Sequence, residues 1–295
     1  VAKPRGPAIR NVITISDLHA GSQLGLCHPD GARLSEGGLY KPSKLQRKLW
    51  RYWEEFTQEW LPSSCRNEPF DLVINGDTVD GKPFESKSQI TDNITDQALI
   101  AHKILEPLVR AARRTYFVKG TETHVGKCGE NEERLARELG AVPDECGQHA
   151  RQELWYRLGG DLIHFLHHIG SSSRSAYESS AVMAELIEEF VEAARWGEQP
   201  PSVIARSHRH SCLEIRIPAD VTARAWSRTH VRPTRAMAIA FVTPAWQLKT
   251  PFAHKIPGAR LKPPQLGGSL IRLSDEGVIY VTHYVQTIGR PQEVP

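Results

Sequence analysis

Short apolar, β-branched runs alternate with longer amphipathic stretches along the first half of this chain, and each run closes on a polar cluster. Val12 to Ile15 opens the pattern and leads into Ser16, Asp17, Leu18 and His19. Runs of this length and composition read as buried strands. Residues two apart in extended backbone share a side, which turns Asp17 and His19 toward one point past the strand end. A Gly-rich stretch from Ala20 to Lys41 has no periodicity and reads as a functional loop, a lid over substrate. Ser43 caps a helix expected to run to about Trp60 and to stop at Pro62. Its Leu and aromatic stripe is core packing. Asp71 to Asn75 forms the second strand, followed by Gly76, Asp77 and Asp80. A helix from about Thr95 to Arg114 spans Pro107, and the strand Thr115 to Lys119 ends in Gly120, Thr121, Glu122, Thr123 and His124. Asn131 to Leu139 completes the series as a helix closed by Gly140.

The second half is patterned differently. Leu154 to Leu158 and Leu162 to Leu166 read as a hairpin, and its second arm ends in His167 and His168. A helix from Ala176 to Trp196 stops at Gly197. Ser202 to Ala205 is another short strand, ending in Ser207, His208, Arg209 and His210. Strands follow at Cys212 to Ile217, Ala236 to Thr243, Ser269 to Leu273 and Val278 to Val285. Strand and helix alternation with polar strand ends is the mark of an α/β sheet whose site lies beyond the carboxyl ends of its strands.

Composition narrows the class. The 295 residues are 40% hydrophobic and 24% charged, with a net charge of +3, as expected for a globular chain with a sizeable core. Five cysteines, odd in number and without a Cys-x-x-Cys pair, argue against a disulfide framework and against a zinc ribbon. They favour a reducing compartment, and no apolar run reaches the roughly 20 residues of a membrane span. The expectation is a cytoplasmic protein with no membrane partner. The 13 histidines matter through their placement. Carboxylate oxygens and imidazole nitrogens gathered at one place suit Zn, Mn or Fe.

Asp-x-His, Gly-Asp, Gly-x-x-x-His, His-His and His-x-His, in that order from Asp17 to His210, resemble the calcineurin-like metallophosphoesterase superfamily. The family pattern is Asp-x-His, Gly-Asp, Gly-Asn-His, a His before Gly, and Gly-His-x-His. The resemblance implies two divalent metal ions. Asp17, His19 and His210 would hold one, His167 and His208 the other, and Asp77 would bridge them. It implies hydrolysis of a phosphate ester, with water activated between the ions attacking phosphorus. His124 matches the catalytic histidine, and Arg209 is placed to contact phosphate. Three departures stand out. The family's Asn is absent, leaving Thr121, Glu122, Thr123 or water for its position, with Glu122 chemically the best oxygen donor. His168 stands at the Gly position and is an alternative ligand to His167, and Ser207 replaces a Gly.

The fold expected is a single α/β domain over residues 1–295: two facing mixed β-sheets flanked by helices. Residues 1–150 supply one sheet and 151–295 the other. Seven arginines between Arg206 and Arg235, with Trp226 among them, tilt the substrate toward phosphodiesters and nucleic acid. A nuclease and a non-catalytic metal-binding interaction module are the alternatives.

Overall fold

The computed structural model describes residues 9–82, 88–158, 160–170, 175–219, 237–251, 253–255, 262–274 and 277–289. The opening strand β1 is Arg10–Ile15, and a small hairpin, β2 (Ala32–Arg33) and β3 (Leu39–Tyr40), follows it. Helix α1 (Lys44–Glu54) passes through a π-turn, Glu55–Trp60, into α2 (Leu61–Ser64). Next come β4 (Phe70–Asn75), α3 (Ile94–Ala111), β5 (Arg114–Val118), α4 (Glu122–Val125) and α5 (Glu130–Glu138). The second half begins with β6 (Ala150–Arg151), β7 (Glu153–Leu158), β8 (Asp161–Leu166) and α6 (Glu178–Trp196). It ends with β9 (Val203–Arg206), β10 (Leu213–Pro218), β11 (Met237–Val242), β12 (Gln265–Ser274) and β13 (Gly277–Thr287).

Alternate residues of each strand divide between two cores. Val12, Val73 and Val118 face inward to Leu154, Ile163, Phe165, Val203 and Phe241, and this apolar layer joins two sheets. Their neighbours Ile13, Leu72, Ile74 and Phe117 face outward onto α1, α3 and α5. On the far side, Ile204, Ala238, Ala240 and Val242 meet Val182 and Leu186 of α6. The layers are therefore helix, sheet, sheet, helix. Strands buried on both faces explain why their sequences run apolar without alternation.

The first sheet has the order β13-β12-β1-β4-β5-β6 and the second β10-β11-β9-β8-β7. Strands β1, β4 and β5 run parallel, as do β8 and β9, so five carboxyl ends point to the same region. The division of the sheets at residue 150 does not hold for the last two strands. β12 returns to pair antiparallel with β1 along Arg10 to Thr14, which removes an open edge from the strand that leads into the site. The long first helix also differs from its expected form. Leu61 N–H donates to Phe56 O across the π-turn, and Pro62 then sits in the first turn of α2. Phe56 and Trp53 of this helix pack on Trp246, so its aromatic stripe is core.

Candidate metal centre

The chain leaves β1, β4 and β9 by left-handed turns. Seven non-glycine residues among those described have positive φ, and five of them are Asp17 (52°), His19 (45°), Asp77 (53°), His208 (69°) and His210 (50°). Asp and His tolerate this region better than most residues, but each such turn still costs about 1–2 kcal/mol. Strain of this kind concentrates at functional sites. It also corrects the reading of Asp17 and His19 as neighbours on extended backbone. They converge because the chain coils after Ile15, not because a strand alternates.

Two loops hold the coil in place. Asp17 N–H donates to Gly76 O and His19 N–H to Asp77 O, both at 3.0 Å, so the turns after β1 and β4 are stitched together. Ser16 Oγ donates to Asn75 O at 2.7 Å, and Asn75 Nδ2 reaches Ser207 Oγ at 2.8 Å and Leu166 O at 3.2 Å. One buried Asn thus ties the ends of four strands. Ser207 in place of a Gly supplies the hydroxyl that accepts from it.

Three groups of donor atoms converge. Asp17, His19 and His210 form one; His19, Asp77 and His124 a second; Asp77, His167 and His208 a third. In the first, His19 Nε2 lies 3.1 Å from His210 Nε2, and Asp17 Oδ1 lies 3.2 Å from His210 Nε2. Asp17 Oδ2 accepts from His208 N–H and Ser16 Oγ, while the buried Oδ1 has no hydrogen-bond partner among the described residues. A buried carboxylate oxygen without a donor, facing two imidazole nitrogens, suits a cation. In the third group His167 Nε2 lies 3.1 Å from Asp77 Oδ2, and His167 Nδ1 donates to Asn75 O at 2.7 Å. That bond fixes the proton on Nδ1 and leaves the Nε2 lone pair toward Asp77, the usual arrangement behind a metal-bound imidazole. His19 Nδ1 lies 3.3 Å from Asp80 Oδ1 without hydrogen-bond geometry, and that oxygen accepts from Gln247. Asp77 belongs to two of the three groups, between the others.

The electrostatics follow from burying these charges together. Burial alone would raise Asp17 and Asp77, but the neighbouring histidines hold both well below the carboxylate range. Burial likewise opposes charging His19 and His167, yet Asp17 for the one and Asp77 for the other raise them to about 10. His208 is solvent-exposed at its surface, but close packing and the charge on His167 push it down to about 4.

His124 stands at the edge of the centre on α4. Its ring packs edge-on to His19 with centroids 4.5 Å apart, and Nδ1 donates to Asp80 O at 2.6 Å. Burial and the charge on His19 lower its pKa. His168 is exposed, its ring 5.3 Å from those of His167 and His208, and it joins none of the donor groups. Glu122 and Thr123 are exposed as well, and Glu122 is absent from every group found among the described residues. Thr121 lies closer. Its Oγ1 is 3.1 Å from Asp77 Oδ2 and 3.2 Å from His208 Nδ1. Arg209 turns toward Glu178 at the start of α6, Nη1 to Oε1 3.7 Å.

Two residues outside the motifs shape the centre. Besides Asn75, the buried Glu132 of α5 accepts from Thr78 N–H and Oγ1, both at 2.9 Å, and from Gly120 N–H at 2.7 Å. It clamps the loops carrying Asp77 and Thr121, and burial together with the Asp77 charge raises it to about 7. Its signal was in the sequence: Glu132 occupies the apolar stripe of α5 with Leu135 and Ala136. A cavity of about 730 Å³ lined by Cys27, His28, Arg33, Leu39, Leu99 and Lys103 lies in the Gly-rich stretch and shares no residue with the centre. That stretch is pinned to α3, where Asp96 accepts from Ser35 N–H at 3.1 Å.

No protein-family model and no curated protein matches the chain. Similar solved structures include vacuolar protein sorting 29 from Cryptosporidium parvum, 11% identical with a TM-score of 0.35 over 95% of this chain and 99% of that one. A protein described as a novel phosphatase from Mycoplasma pneumoniae is 9% identical with a TM-score of 0.42, covering 95% and 94% of the two chains. A hypothetical protein from Thermus thermophilus is 12% identical with a TM-score of 0.37, covering 94% and 99%. These likenesses are too slight to carry an argument about this chain. Among the described residues no helix is long and apolar enough to cross a membrane. What stands is a mixed α/β protein of two sheets flanked by helices, with His and Asp clusters suited to metal ions at the strand ends.

Proposed function

We infer that this protein is a metallophosphoesterase-type hydrolase that binds two divalent ions and cleaves phosphate esters. The observation that carries the reading is the placement of Asp77 between two groups of His and Asp donors, built from five strand ends. Asp17, His19 and His210 would hold one ion, His167 and His208 the other, with Asp77 shared. Orphaned Asp17 Oδ1 and the Nε2 of His167, backed by Asn75 O, fit that role. When bound, such a pair of ions supplies an acidified water as nucleophile and positive charge for the phosphoryl oxygens.

The chain's own residues do the rest. Asp77 and Asp17 are kept ionised, so both carboxylates are ready for a cation that displaces the protons from His19 and His167. Asn75 O orients His167, Asp80 O orients His124, and Glu132 fixes the loop of Asp77. His124, with Nδ1 committed to Asp80 O and its ring against His19 at the edge of the centre, would act on the leaving oxygen as general acid or charge stabiliser. Arg206 and Arg216 are paired with carboxylates and Arg209 is turned to Glu178, so these three do not form a free basic face. Arg224, Trp226, Arg228, Arg232 and Arg235 lie outside the described residues, and the reading therefore stops at phosphate esters.

The test is metal content of the purified chain, with turnover of bis-(p-nitrophenyl) phosphate, p-nitrophenyl phosphate and a single-stranded oligonucleotide in added Mn²⁺. Two ions per chain and hydrolysis of an ester that falls about 10²–10⁴-fold in His124→Ala, with metal retained, is the expected result. Two ions with no turnover of any substrate would favour a binding module, and oligonucleotide cleavage a nuclease.

A further inference from the structure

Thr121 occupies the first position before α4, where a threonine hydroxyl ordinarily accepts from the helix's free N–H groups. Here the side chain makes no such bond. The backbone carbonyl of Thr121 accepts from His124 and Val125 instead, and the hydroxyl faces the metal centre. Its Oγ1 is 3.1 Å from Asp77 Oδ2, 3.2 Å from His208 Nδ1 and 3.5 Å from His167 Nε2. The hydroxyl has one proton to give, so it bonds all three only if both imidazole nitrogens donate to it. Four donors held at about 2.0–2.1 Å around a tetrahedral ion lie about 3.3–3.4 Å apart. The Thr121 contacts, with 3.1 Å between Asp77 Oδ2 and His167 Nε2, bracket that value. Thr121 N–H also donates to Asp77 Oδ1 at 2.7 Å, so the backbone fixes the hydroxyl against the carboxylate.

We propose that the Thr121 hydroxyl is a direct ligand of the ion held by Asp77, His167 and His208, in the place where the resembled family uses an Asn amide. The proposal rests on the two-ion reading above. It carries a consequence for the order of loading. The Asp17 group has a carboxylate of its own besides the shared Asp77, whereas the Thr121 group has only the shared one and a neutral hydroxyl. The two ions bind unequally, and the ion at Thr121 is the weaker.

Metal-free full-length chain titrated with Co²⁺, followed by calorimetry and visible absorbance, tests this. Wild type shows two events of different affinity, and His167→Ala removes the weaker. Thr121→Val, which keeps shape and loses the oxygen, weakens that event by at least about tenfold and leaves the tighter one in place. Thr121→Ser restores it. Thr121→Cys provides a direct signature, a thiolate-to-cobalt charge-transfer band absent from wild type, which appears with the second equivalent. Two unaltered events in Thr121→Val, or both weakened alike, together with no band in Thr121→Cys, would overturn the ligand assignment while leaving the two-ion reading intact. Both events unaltered in His167→Ala would overturn the reading itself. Should Thr121→Val lose the wild-type circular dichroism, the Cys band decides alone.

Discussion

A single methyl group separates a working centre from a blocked one at Gly120. A Cβ there would run into the carboxylate and the backbone nitrogen of Asp77. Backbone cannot give way as a flexible side-chain tip can, so Asp77 would have to move. Gly120→Ala is expected to weaken metal binding at least about tenfold while the far-ultraviolet circular dichroism stays that of wild type. Wild-type affinity in that variant, read by calorimetry, would show that Asp77 is free to shift and not clamped. Gly76 is constrained in the same way from the other side, at φ +85° with His167 against it. The donor side chains thus depend on two residues that have none. Both glycines stood beside the motif residues in sequence, and turn chemistry was reason enough to expect them. What they leave room for was not legible, because His167 is 91 positions from Gly76 along the chain.

At the scale of elements, the second sheet is fastened to its helix by a buried charge. Arg206 at the end of β9 is nearly inaccessible, and its guanidinium meets Glu185 at 2.7 Å and Glu189 at 2.9 Å on α6. Glu189 also closes on His164 of β8. In sequence Arg206 heads a basic run. The fold instead makes it, with His164, part of one ion network between strand and helix. Removing one partner from a buried pair leaves an uncompensated charge and typically costs about 3–5 kcal/mol. Arg206→Ala is expected to lose that much in urea denaturation, and because β9 leads directly to His208 and His210, metal affinity should fall with it. A loss under about 1 kcal/mol would mean the two glutamates simply turn out to solvent. The long first helix teaches the same lesson. Its Ser43 cap, with Gln46 answering from the next turn, was readable, whereas the π-turn that lets it run past Pro62 was not. That turn follows from where Phe56 must go, into the aromatic group with Trp53 and Trp246.

For the molecule as a whole the centre sets a pH dependence whose sign depends on metal. In the metal-free chain burial disfavours the imidazolium forms of His19 and His167, yet Asp17 and Asp77 outweigh it and raise both from 6.5 to about 10. The folded chain then binds more protons than the unfolded one between those values. The contribution of these two groups to stability is full below about 6.5 and falls as pH rises through the window. A bound cation replaces those protons and needs the nitrogens free of them, so it gains on the proton as pH rises. The Tm of the metal-free chain is expected to drop from about pH 6.5 to 8.5, and the difference in Tm between Mn²⁺-loaded and metal-free chain to widen over the same range. A metal-free Tm that rises across it would remove the carboxylate-imidazolium pairing from the centre.

The sequence by itself determined what kinds of atoms stand at the strand ends and in what order. Strands betray themselves by short β-branched runs, helices by their stripe and caps, and carboxylates and imidazoles by identity, all properties of residues and their near neighbours. An α/β architecture with its site beyond the carboxyl ends of the strands could be argued from those alone, and the gathering of Asp17, His19, Asp77, His167, His208 and His210 there from the resemblance of the motif order to a known family. Tertiary structure decided the rest. It returned β12 and β13 to the first sheet, because the open edge of β1 needed a partner. It turned the Thr121 hydroxyl, and not the Glu122 carboxylate, toward Asp77, because α4 begins at Glu122 and carries that side chain out to solvent. It gave Asn75, Ser207 and Glu132 their hold on the loops, because buried polar atoms take the partners that distant segments bring to them.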